Sequence, residues 1–117
     1  METENPKQSP LTSDVLTSKP AKEKFLQAVD KKGAESEQRE AGGKFVDELQ
    51  KEADARWPGP ERDLWFNYHL TKTYAEANLW EYAQDAIEGL LMVAENMGQS
   101  DPAFEDLRQA ILKKNPL

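Results

Sequence analysis

The chain has 117 residues and a mass of 13.3 kDa; 38% of its residues are hydrophobic, 32% are charged, and the mean hydropathy is −0.85. That is leaner than the roughly 45–50% apolar content of an ordinary globular domain, so one small core is the most it can build and part of the sequence is expected to stay unpacked. Fifteen Lys+Arg against 22 Asp+Glu leave a net charge of −7, which disfavours nucleic acid and anionic membrane as partners, while zero Cys and one His exclude disulfides, thiolate chemistry and multi-histidine metal sites.

Residues 1–19 are rich in Ser, Thr and Pro and hold few large aliphatics, among them Leu11, Val15 and Leu16. Such a stretch cannot offset the entropy of ordering its backbone, and it reads as a disordered arm, or as a short recognition segment around Val15 and Leu16 that orders on a partner. Pro20 suits a first helical turn with Ser18 as its cap, and residues 21–32 then set Phe25, Leu26 and Val29 on one stripe among lysines, with Gly33 as the stop. Residues 34–57 form a second helical stretch. Its first half is polar all round and holds Gly42-Gly43, each costing a helix about 1 kcal/mol relative to Ala, so a hinge or frayed end is expected before residue 44. Its second half carries Phe45, Leu49, Ala53 and Trp57 at four-residue spacing, one apolar face.

Residues 57–60, Trp-Pro-Gly-Pro, end that helix and open the next, since neither proline can sit inside a helix. Three further helices are predicted: residues 60–77, residues 80–97 closed by Gly98, and residues 101–114 opened by Asp101-Pro102. The fold class is therefore all-α, a small helical bundle. It divides into an arm (1–19), amphipathic helices with a glycine hinge (20–57) and a three-helix core (58–117).

Six of the ten aromatics, Trp65, Phe66, Tyr68, Tyr74, Trp80 and Tyr82, crowd into eighteen residues. The helix over 60–77 is apolar on more than one stripe: one face can pack on the following helix, and the rest must meet the upstream helix, a second subunit or a partner. Leu70, Thr71 and Tyr74, then Trp80, Ala83, Ile87 and Leu90, resemble one helix pair of the tetratricopeptide-repeat family over about residues 64–97, with Asn67 where the pattern has tryptophan and Thr71 where it has glycine. The resemblance implies a helix-pair scaffold that binds peptides or other proteins, with residues 101–114 as a capping helix. His69 has no metal-ligating neighbour at helical spacing, and no phosphate-binding glycine loop or nucleophile elbow is present, so neither a cofactor nor an enzymatic activity is expected.

The function expected is a non-enzymatic protein–protein interaction module, an adaptor, assembly factor or regulator. Its site is a groove lined by Phe45, Leu49, Trp57, Trp65 and Tyr68, for another protein or for a second copy in a homodimer. The alternative is an acidic inhibitor or nucleic-acid mimic acting through Glu81, Asp85 and Glu88, which share one helix face. Residues 61–117 hold 5 Lys+Arg and 10 Asp+Glu, a net −5, so the acidity concentrates there. No apolar run approaches the roughly 18 residues of a membrane span and no signal segment opens the chain, so a cytoplasmic setting is expected.

Overall fold

The structure, a computed structural model, describes residues 11–13, 16–32 and 34–115. Among these residues it is all-helical, a small bundle of five helices: α1 (Lys19–Asp30), α2 (Glu35–Arg56), α3 (Glu61–Glu76), α4 (Trp80–Met97) and α5 (Pro102–Leu112). The helix ends follow local chemistry. Trp57 is extended because Pro58 follows it, and its N–H still closes on the Ala53 carbonyl at 2.9 Å. Asn78 takes the left-handed conformation (φ 61°), which lets the Leu79 N–H reach back to the Tyr74 carbonyl at 2.9 Å and turns α3 directly into α4. Gly98 does the same after α4, at φ 65°. Asp101 caps α5 by accepting the Ala103 N–H at 2.9 Å.

α3 is the shared wall of two cores. Its Leu64, Tyr68 and Ala75 join Ala83, Ile87, Leu90, Phe104, Leu107 and Ile111 from α4 and α5. Its Trp65, with Phe66, Leu70 and Tyr74 beside it, joins Phe25, Phe45, Leu49 and Ala53 from α1 and α2. The backbones of α1 and α2 approach α3 but not α4 or α5. The surplus apolar surface of α3 is thus met by the upstream helices of its own chain. Two threonines are fully buried in this wall, their hydroxyls satisfied by carbonyls one turn back: Thr71 donates to Asn67 at 2.6 Å and Thr73 to His69 at 2.8 Å.

Two expectations need correction here. Of the residues assigned to a disordered arm, 1–10, 14 and 15 lie outside the described residues, but Leu16 and Ser18 are buried and α1 already begins at Lys19. The cause is Glu52. Its carboxylate accepts the Thr17 N–H (2.7 Å), the Ser18 N–H (3.0 Å) and the Ser18 hydroxyl (2.8 Å), and it pairs with Arg56 at 2.7 Å. Ser18 makes no side-chain cap of its own; a carboxylate from α2 takes that place at the positive end of the α1 dipole. Gly33, expected to stop this helix, lies outside the described residues, and Lys32 turns left-handed just before it (φ 52°).

The glycine hinge is the second correction, since α2 runs unbroken through Gly42 and Gly43. A Cβ on Gly42 would stand 3.0 Å from Phe25 Cε1, whereas one on Gly43 would meet nothing within 4 Å. Gly42 therefore admits the Phe25 ring, which lies parallel to Phe45 at 6.0 Å and edge-on to Tyr74 at 6.3 Å. The absent side chain serves packing between α1 and α2 and does not interrupt α2.

Gly43→Ala is expected to raise stability by about 0.5–1 kcal/mol through helix propensity, and Gly42→Ala to fall at least about 1 kcal/mol short of it because the boxed Phe25 ring must move. Urea unfolding of the two variants side by side measures this. For Glu52, burial pushes the carboxyl pKa up, but the bonds from Thr17, Ser18 and Arg56 together outweigh it and hold the group below its ordinary 4.5. A depressed folded pKa means stability that is complete above pH 4.5 and lost as pH falls through the folded value. Glu52→Gln should cost about 2 kcal/mol at neutral pH, with the gap to the native chain closing as the solution is acidified.

Candidate interaction surface

The five residues expected to line an open groove are not assembled that way. Phe45, Leu49 and Trp65 are fully buried, and Trp57 is half-buried against them. Leu16 and Phe25 of the same chain cover them, and the Arg56 guanidinium lies 5.2 Å from the centre of the Trp65 ring. Tyr68 points into the other core, its ring 5.7 Å from that of Phe104. The expected groove is therefore core, closed by residues 16–30. His69 is buried between the two, 4.7 Å from the Trp65 ring and 5.1 Å from that of Tyr68.

An open apolar groove does exist, one helical stretch further back. It encloses about 500 Å³ between α1, the N-terminal half of α2 and the α3–α4 turn, and Phe25, Val29, Val46, Tyr74, Leu79 and Tyr82 supply its apolar wall. Gly42 and Gly43 lie along it, and Glu35, Gln38 and Arg39 form its polar edge. Two consecutive residues of α2, Gly42 and Gly43, carry no side chain along the groove and leave room in it. Tyr82 stands 61% exposed, with its ring 5.5 Å from that of Tyr74. Burial, and secondarily the neighbouring Tyr82 phenol, push the Tyr74 hydroxyl pKa above its ordinary value, so the Tyr74 ring is a neutral phenol at physiological pH.

The sequence held two signals for this groove. Phe25 and Val29 lie one turn apart on a helix that carries little other apolar area, and the paired glycines mark a place where side chains are missing. Their partners Tyr74, Leu79 and Tyr82 come from some fifty residues away in sequence, and no local pattern joins them to α1.

The second candidate face lies on α4. Glu81, Asp85 and Glu88 are all exposed on α4, joined by Glu95, and α4 contains no lysine or arginine. Among the described residues no group of three or more His, Cys, Asp or Glu side chains could hold a metal ion, and no helix is long and apolar enough to cross a membrane.

Comparison with protein-family models, with curated proteins and with solved structures gives no match to this chain. The tetratricopeptide-like likeness of residues 64–97 therefore rests on the residues quoted and on the antiparallel α3–α4 hairpin alone. Because Trp65 is core, Trp65→Ala is expected to cost about 3–5 kcal/mol of stability, the range for removing a large buried aromatic, and thermal unfolding followed by circular dichroism measures it.

Proposed function

We propose that the chain is a non-enzymatic protein–protein interaction module, an adaptor, assembly factor or regulator, that holds a partner in the groove between α1, α2 and the α3–α4 turn. One observation supports this reading above the others: an open groove of about 500 Å³ with an aliphatic and aromatic wall and the exposed Tyr82 at its rim. An occupant would remove this concave apolar wall from water, and tyrosine at the rim offers rigid area with a hydroxyl that can hydrogen-bond. The wall offers shape and apolar contact. Its titratable groups are the two phenols and the Glu35–Arg39 pair, closed at 3.1 Å, a set suited to binding rather than to bond-breaking. A second copy of the chain is the simplest protein that could occupy it, and a sedimentation mass of twice 13.3 kDa would identify that case.

A second reading, an acidic inhibitor or nucleic-acid mimic, draws on the exposure of Glu81, Asp85 and Glu88 on a helix without basic residues. Binding through that face would be dominated by charge and would weaken steeply with salt.

Gly43→Gln separates the two readings, because it puts a long neutral side chain into the groove at a site where a Cβ meets nothing. Affinity capture with the native chain at physiological salt should retain a partner that Gly43→Gln loses, and Tyr82→Ala should weaken retention by about 1–2 kcal/mol. A partner kept by Gly43→Gln but released when Glu81, Asp85 and Glu88 become amides would favour the acidic reading instead.

A further inference from the structure

The groove is apolar along its wall, and a carboxylate stands beside each of its ends. At one end Leu79 and Tyr82 continue into a shallower depression whose lining includes Glu81. From Glu81 an exposed stripe of carboxylates, Asp85, Glu88 and Glu95, runs down α4. At the other end Val29 is shared with a depression lined by Asp30 and Glu76. Of the cations nearby, Lys22 pairs with Glu76 at 2.8 Å and Arg39 with Glu35 at 3.1 Å, while Lys114 beside Glu81 and Lys31 and Lys32 after Asp30 stand exposed, so the unbalanced negative charge lies along α4. Glu81, Asp85, Glu88 and Glu95 make no ion pair with any described residue. Like charges one turn apart repel along the helix, so α4 keeps an uncompensated negative edge beside the apolar groove.

This inference rests on the groove reading above and adds the chemistry of the occupant. We infer that the groove and the adjoining α4 edge receive a basic amphipathic α-helix of another protein. Its apolar residues, spaced three and four apart, fill the wall around Val29, Val46, Leu79 and Tyr82. Its flanking Lys or Arg residues face Glu81, Asp85 and Glu88. The spacing suits a helix lying along α4: at about 1.5 Å per residue the three carboxylates sit about 6 and 10 Å apart along the axis, the same one- and two-turn intervals at which a helix repeats basic side chains on one flank. The net charge of −7 would draw such a segment in and repel an acidic one, which is where the choice between cationic and anionic partners is made.

The test uses the full chain and two fluorescein-labelled synthetic peptides of about 18 residues, about five helical turns, with identical leucine positions and either lysine or glutamate at every flanking site. In fluorescence anisotropy the lysine peptide should bind at least about tenfold tighter than the glutamate peptide. It should lose about tenfold on Gly43→Gln and on Tyr82→Ala. It should lose several-fold on the combined Glu81→Gln, Asp85→Asn and Glu88→Gln change. All substituted positions are exposed, so circular dichroism should show unchanged helix content. Equal affinity for both peptides, with Gly43→Gln abolishing both, would overturn the basic partner and leave the groove function standing. Lysine-peptide binding that Gly43→Gln does not touch would place it on the carboxylates alone and overturn the groove reading with it. Binding of neither peptide, or a doubled sedimentation mass that Gly43→Gln abolishes, would also overturn the inference, the latter by giving the groove to a second copy.

Discussion

The arrangement of this protein turns on one buried carboxylate. Glu52 lies on α2, yet it holds the start of α1, some 34 residues earlier, by three hydrogen bonds from Thr17 and Ser18. A charge taken out of water is tolerated only when its oxygens are saturated, and here two backbone N–H groups, a hydroxyl and the Arg56 guanidinium do that. With its first turn fixed, α1 can lie only one way on α2, and that places Phe25 over Gly42 and against Phe45. Two outcomes follow together. The aromatic face of Phe45, Leu49 and Trp65 is closed, and a different face, further along α1, is left open.

The two cores explain how so apolar-poor a chain folds. By burying residues on both sides of α3, the protein uses one helix twice, and each core needs only two further helices to complete it. Helix α3 therefore carries large side chains on opposite faces, Trp65 toward one core and Tyr68 toward the other. Small residues at Ala75 and Ala83 let α3 and α4 pack closely, and the two threonine hydroxyls are satisfied by turning back onto their own helix.

Much of this was legible in the sequence where punctuation is local. The Trp-Pro-Gly-Pro segment, the Asn78-Leu79 turn, Gly98 and Asp101-Pro102 each act through the few residues beside them, and the helices between them start and stop within a residue or two of the positions those signals indicate. Helix α4 is found with both ends unchanged. What composition hid was long-range. Residues 16–18 look too polar to order because their partner is a carboxylate far along the chain. Gly42-Gly43 look like a hinge because the ring that fills the gap at Gly42 belongs to another helix. The aromatic cluster mixed core residues such as Trp65 and Tyr68 with Tyr74 and Tyr82, which line a groove drawn from α1, α2, α3 and α4 at once.

The division of labour around α3 has a consequence for how the molecule opens. The backbones of α1 and α2 meet those of α4 and α5 only through α3, so the segment 16–30 can detach as a unit while the α3–α4–α5 core stays intact. Amide protons of α1 should then exchange with solvent through such partial openings well before those of α3 and α4, whose release needs global unfolding. Each such excursion uncovers Phe45, Leu49 and Trp65 together, a sticky patch that native stability keeps rare. Acidic solution, which protonates Glu52, would raise its population, so self-association under acid conditions would begin at this end of the bundle.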